Sequence, residues 1–206
     1  MLQRATRILL AAILAIVGWE WIVSGINKVL SGNFPRSLTE TLNQGIQGNP
    51  NAWYVSFLQS VVEPQHIFFG YAIEWTETTI GVLFLSCALL LLSQPKMRGE
   101  PQHNIMVAFF ALGSIAAILG ALLCNNFHFW MGHGLIPGIG AAPSDEGIDL
   151  DALVPPFSLV ILIGNLVYIK ALRGETWYSR AYKGIVMGLR KFIGMEEAPE
   201  QKKVAS

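Results

Sequence analysis

The sequence predicts an all-α membrane protein built on a bundle of four transmembrane helices. Four apolar segments, Ile8–Leu30, Ile67–Ser93, Ile105–Cys124 and Leu153–Leu172, each reach the roughly 20 residues that cross a bilayer as a helix. Charged residues are 14% of the 206-residue chain, against about 25% in soluble domains, so too few remain to coat a water-exposed surface. The Lys and Arg residues are also sorted by segment. Arg4 and Arg7 precede the first span, Lys96 and Arg98 lie between the second and third, and eight more follow from Lys170 to Lys203. The connection from Asn125 to Ala152 has none. The positive-inside rule then places both termini in the cytoplasm, and an even number of spans agrees.

The first span could be mistaken for a signal peptide, with Arg4 and Arg7 as its charged start. Its apolar run is too long, and no small-residue cleavage site precedes Trp19-Glu20-Trp21, so it reads as an uncleaved helix. The outer connection that follows is long enough to carry structure of its own. Leu38, Leu42 and Ile46 recur at helical spacing, and Asn49-Pro50 signals the start of a second short amphipathic helix. Trp53, Tyr54 and Phe57 suit the outer lipid interface.

Cys87 and Cys124 belong to opposite depths of antiparallel helices and read as apolar filler, not a disulfide. On the third span, Gly113, Ala117, Gly120 and Ala121 form a small-residue face suited to internal or to partner packing. The 3–4 connection is rich in Gly and Pro and reads as a loop folding back over the mouth of the bundle. Its "GHGLIPGIG" follows no strand and is not a phosphate loop. Residues 1–174 are expected to form the membrane domain. Residues 175–206 form a basic amphipathic cytoplasmic tail, with Tyr178, Tyr182, Ile185, Leu189 and Phe192 on one face of an interfacial helix.

An ionisable group inside a membrane costs on the order of 3 kcal/mol by insertion scales, so its presence asks for a function. Glu20, Ser24, Asn27 and Lys28 share one side of the first helix, and Glu74 and Glu77 share one side of the second. Asn125, Asn126 and His128 close the third, and His133 follows. All lie at the outer end. The expected site has Glu20, Lys28, Glu74 and Glu77 as its catalytic groups. Asn27, Asn126, His128 and His133 are its substrate ligands, and Trp19 and Trp75 flank a quinone ring. Closely placed carboxylates can exchange protons, Lys and His can attract a small anion, and the aromatic side chains suit a ring. A structural network, with Lys28 neutralising a glutamate and the asparagines capping helices, is the competing reading. His66, His128 and His133 lack the shared helical spacing of a metal site, so none is expected.

The run "GWEWIVSGINK", the long aromatic outer connection, "EWTETTIGVLFL", "NNFHF" and "GNL" together resemble the DoxX/DoxD family of small four-helix membrane proteins of bacteria and archaea. The resemblance spans about Arg4 to Arg173, and its strongest motifs are the G-x-x-K ending at Lys28 and the acidic start of the second span. It is nearest to the DoxD branch, the large membrane subunit of thiosulfate:quinone oxidoreductase. This implies oxidation of two thiosulfates to tetrathionate, with electrons passed to quinone in the cell membrane. Lys28 matches the family's basic residue and Glu74 its helix-2 acid. A DoxA-like small subunit would come from another chain, and no nucleic acid partner is expected. The alternative is a non-catalytic membrane subunit that anchors or stabilises a larger redox or transport complex.

Overall fold

The computed structural model of the protein describes residues 2–93, 100–132 and 150–173. Every element among them is helical: α1 (Leu2–Ser31), α2 (Phe34–Ile46), α3 (Ala52–Phe57), α4 (His66–Ser93), α5 (Glu100–Trp130) and α6 (Leu150–Arg173). Among the described residues, four stretches are long and apolar enough to cross a membrane: Arg4–Ser31, Ala52–Ser93, His103–Trp130 and Val154–Leu172. The chain is a multi-pass membrane bundle, as its apolar segments predict.

Glycines set how closely α1 and α4 approach. A Cβ on Gly25 would stand 2.5 Å from the Thr78 amide nitrogen, and one on Gly81 would stand 2.5 Å from that of Ile22. With no side chain at either position the two backbones meet directly, which is how membrane helices gain packing where lipid offers no hydrophobic drive. Around this seam Leu14, Phe84, Cys87, Phe110 and Ile161 fill the bundle core. On the far side, the Phe110 and Tyr168 rings lie 4.6 Å apart, and Gly113 lets Asn165 of α6 and Cys87 of α4 close in on α5. Cys87 and Cys124 are buried and form no disulfide, and the Cys87 thiol donates to the Phe109 carbonyl at 3.3 Å. The small-residue face of α5 is likewise used inside the chain. Gly113, Ala117 and Gly120 are buried, and the Trp21 indole covers Gly120, so they offer no face to a partner.

The connection after α1 forms a helical hairpin with its own small core. Leu38 and Leu42 of α2 pack on Tyr54, Leu58 and Val62, joined by Phe69 and Ile73 of α4 and by Phe129 and Trp130 of α5. Tyr54 is therefore buried, not placed at a lipid interface; Trp53 and Phe57 remain exposed. The second short helix begins at Ala52 and runs on through a π-helical turn, Leu58–Val62, and a 3₁₀ turn, Glu63–Gln65, into α4. The tetrapeptide Glu-Pro-Gln-His occurs at 63–66 and again at 100–103, leading into α4 and opening α5. At the start of α5 an early Pro is suited, because its missing N–H has no intrahelical partner there, whereas Pro64 lies at the 3₁₀ turn inside a continuous helical run.

This continuation alters the depths expected from the apolar segments. Gly70, in the second turn of α4, packs on Pro35 beyond the end of α1. With Gly25 against Thr78, Glu74 comes level with the last turn of α1. Glu20 lies roughly 13 Å deeper, so although both were expected at the outer end, Glu20 and Glu74 do not share a level. The 3–4 connection with His133, and the tail from residue 174 onward, lie outside the described residues.

The α1–α4 seam gives a direct test. Gly25→Val should lower stability by about 1–3 kcal/mol, the usual cost of overpacking. Ala12→Val, on the exposed face of the same helix, should change it little. Thermal unfolding of the two variants in detergent measures the difference.

Candidate functional site

The site begins with two residues one helical turn apart on α1. Ser24 and Lys28 point the same way, towards α4. Lys28 Nζ lies 2.6 Å from Oε2 of Glu77 and donates to Ser24 Oγ at 2.7 Å, while Ser24 Oγ donates to the same Glu77 oxygen at 2.9 Å. Glu77 is 1% exposed and Lys28 23%, so the carboxylate lies inside and its cation reaches the surface. Lys28 also stands in the last turn of α1, where the helix dipole favours positive charge. The second Glu77 oxygen, Oε1, has no hydrogen-bond partner among the described residues. Glu74, one turn along the same face of α4, is buried too.

Above this pair the hairpin encloses a cavity of about 420 Å³. Its walls are mainly apolar and aromatic, among them Phe34, Leu38, Tyr54, Phe69, Phe127 and Trp130, and among the described residues Lys28 is the only charged one that lines it. Lys28 lies 5.4 Å from the centre of the Phe34 ring, in cation–π range. Specific bonds hold the hairpin on the end of α5. Trp130 Nε1 donates to the Thr41 carbonyl at 3.1 Å, and Asn49 Nδ2 to the Phe129 carbonyl at 2.9 Å. The Tyr54 hydroxyl lies 3.0 Å from both the carbonyl and the Oδ1 of Asn126. Gly45 leaves room for the Trp130 indole against α2. On the other side of Lys28 and Phe34 runs an open groove of about 530 Å³, lined by Ser24, Asn27, Ser31, Asn33 and Ser37.

The residues expected from the sequence separate into three groups. Lys28, Glu77 and Asn126 stand in or directly behind this cavity, Glu74 is buried one turn from Glu77, and Asn27 faces the groove. His128 is buried near the end of α5 and does not line the cavity. Glu20, Trp19 and Trp75 are elsewhere. Glu20 and Trp19 are exposed on the outer side of α1, away from the bundle, because the polar arc of that helix is too wide to face one neighbour. Trp75 is 57% exposed beside a shallow apolar groove between α4 and α5, lined with Leu112, Ile115 and Leu119. The two tryptophans therefore do not flank a common ring site. The cavity's own aromatic residues were not grouped from the sequence. Their signal was the spacing of Tyr54, Leu58 and Val62, four residues apart, taken up by Phe69 and Ile73. Among the described residues no cluster of three or more metal-ligating side chains occurs.

Fold and site together define a polytopic membrane protein with a lidded, aromatic cavity over a buried ion pair. Compared with known protein families, with curated proteins and with solved structures, the chain matches none.

Removing the cation strands a carboxylate in an apolar interior, a change that costs about 3–5 kcal/mol at buried pairs and less where the cation is part-exposed, as here. Lys28→Met should therefore destabilise clearly. Glu77→Gln added to it should recover most of the loss, whereas Glu74→Gln should recover little. Thermal unfolding of the full mutant cycle reads this out; equal rescue by both would break the assignment of the pair.

Proposed function

We propose that the protein is the membrane subunit of a quinone-linked oxidoreductase, with the quinone ring seated in the hairpin cavity against Lys28. The observation that carries this reading is the cavity itself, apolar and aromatic on most sides with one cation at its edge. A flat ring with polar carbonyl oxygens matches both features: aromatic side chains stack on its faces, and an ammonium N–H serves as donor to an oxygen. The volume falls within the roughly 300–1,000 Å³ of small-molecule sites. Phe57 and Val61 are exposed beside the π turn, which suits lateral entry from lipid.

The resemblance to the DoxX/DoxD family supports thiosulfate as the electron donor. Two thiosulfates release two electrons as their sulfur–sulfur bond forms tetrathionate, and the quinone takes these electrons with two protons. In this scheme Lys28 holds the ring oxygen, and Glu77 keeps Lys28 in place. Glu77, with an oxygen that no described residue engages, is the carboxylate nearest the ring and serves as the proton carrier. The sorted Lys and Arg residues support cytoplasmic termini and an outward-facing cavity, in a bacterial or archaeal cell membrane. A small DoxA-like subunit completes the enzyme. The second reading, a non-catalytic anchoring subunit, is favoured by one observation, the outward-facing Glu20.

Two experiments test the proposal. Purified protein, with and without a candidate small subunit, should reduce a short-chain quinone in a thiosulfate-dependent way. Leu58→Trp, which fills the cavity, should lower that rate at least about tenfold, while Trp75→Phe should leave it unchanged. Absence of quinone reduction in every combination would sink the enzymatic reading, and full activity in Leu58→Trp would move the quinone elsewhere. For orientation, a membrane-impermeant thiol reagent on intact cells should reach a cysteine placed at Ser144 and not one at Ser206.

A further inference from the structure

Glu20 stands where a carboxyl group is most expensive. Lys28 marks one end of the α1 span and Arg4 and Arg7 the other, which puts Glu20 about 12 Å from the Lys28 end, near mid-membrane. Its side chain is exposed, on the same outward strip as Ile16, Trp19, Val23 and Ile26, which are 36–67% exposed. Glu20 makes no hydrogen bond or ion pair with any described residue. The basic side chains of α1 are at its ends, and Lys28 is held by Glu77. In a bilayer this strip meets hydrocarbon, so the carboxyl has no water there and no partner among the described residues.

We propose that the outward face of α1 around Glu20 docks a transmembrane helix of another protein, one that carries an arginine or lysine at the same depth. The argument is charge complementarity. A carboxylate alone in hydrocarbon costs on the order of 3 kcal/mol or more, and a cation brought to it removes cost on both helices at once. Arginine fits best, because its planar fork gives a carboxylate two hydrogen bonds. A second copy of this chain fits poorly. Packed side by side about a two-fold axis along the membrane normal, two copies would bring Glu20 against Glu20, like against like. Glycines do not direct this docking, since those of α1 and α5 are already used inside the bundle. Trp19 and Ile16 supply apolar area beside the charge. This surface is separate from the hairpin cavity and does not depend on the redox chemistry proposed for it.

The test uses the full-length chain in vesicles of a zwitterionic phosphatidylcholine, labelled through a cysteine at Ser31. The probes are synthetic single-span leucine–alanine helices that differ only at their centre, with Arg, Lys or Leu, and association is read by energy transfer. The arginine helix should bind at least about fivefold more tightly than the leucine helix, the ratio that 1 kcal/mol gives. Glu20→Leu should abolish that preference, and it should fold at least as well as wild type, because the site faces lipid. Glu77→Gln, at the inner pair, should keep it. Equal binding of the three probes to wild type would overturn the proposal, as would a preference that survives in Glu20→Leu. Unfolding of Glu20→Leu would also count against it, since that would mean an inward role for the carboxyl. Efficient symmetric crosslinking of Glu20→Cys in membranes would assign the face to a second copy instead. None of these outcomes touches thiosulfate-dependent quinone reduction by wild-type protein, so the two proposals fail separately.

Discussion

A carboxylate sealed inside a bundle of helices needs a counter-charge, and Glu77 takes its from Lys28 across the seam between α1 and α4. Bringing the two within 2.6 Å requires backbones close enough for a lysine in the last turn of one helix to reach inward. Gly25 and Gly81 make that approach possible, and Ser24 adds a hydrogen bond that fixes the same oxygen. Much of the architecture at this end follows from that pair. The ammonium cannot turn to lipid without stranding Glu77, so its stem and the Phe34 ring stay together. The start of α2 is thereby held where the cavity needs a wall.

The hairpin completes the cavity by a different kind of force. Its core of Leu38, Leu42, Tyr54, Leu58 and Val62 is apolar and non-directional, and would tolerate many arrangements. The bonds from Asn49, Tyr54 and Trp130 remove that freedom. Each ties the hairpin to the C-terminal turns of α5, and Asn49 reaches the Phe129 and Trp130 carbonyls at the very end of that helix, where intrahelical donors run out. The result is a site made from chain segments up to about a hundred residues apart, with its one charge supplied from below.

The spans were legible in the sequence because length and hydropathy alone decide whether a segment can cross a bilayer. The Lys28 pairing was legible in part. Periodicity turned Ser24 and Lys28 towards a neighbour and offered Glu74 or Glu77 as the acid. The choice between them needed the depth of α4, which the 3₁₀ and π turns hide by carrying the helix past the apolar segment. Glu20 was misread for a simple angular reason. Glu20, Ser24, Asn27 and Lys28 spread over about 100° of the helix circumference. Ser24 and Lys28 lie on the edge beside Trp21 and Gly25 and face inward; Glu20 and Asn27 lie on the other edge and face out. The aromatic cavity was invisible because periodicity within one segment cannot say which distant segments share a space. The repeat of Glu-Pro-Gln-His escaped for the opposite reason, being too short for any period to register.

The joint between α3 and α4 has a geometry of its own. A π turn winds less per residue than an α-helix and a 3₁₀ turn winds more. Placed in succession over Leu58–Val62 and Glu63–Gln65, their errors oppose each other. On either side of the joint, Tyr54, Leu58 and Val62 and then Phe69 and Ile73 face the same small core. Such a joint is indifferent to most changes of side chain on its outer surface but strict about length. Loss of a single residue would rotate α3 by about 100° relative to α4. Tyr54 would turn away from Asn126 and the hairpin would lose its clasp, although both helices would remain intact. In the descent of such a chain, this stretch can drift in composition while its residue count stays fixed.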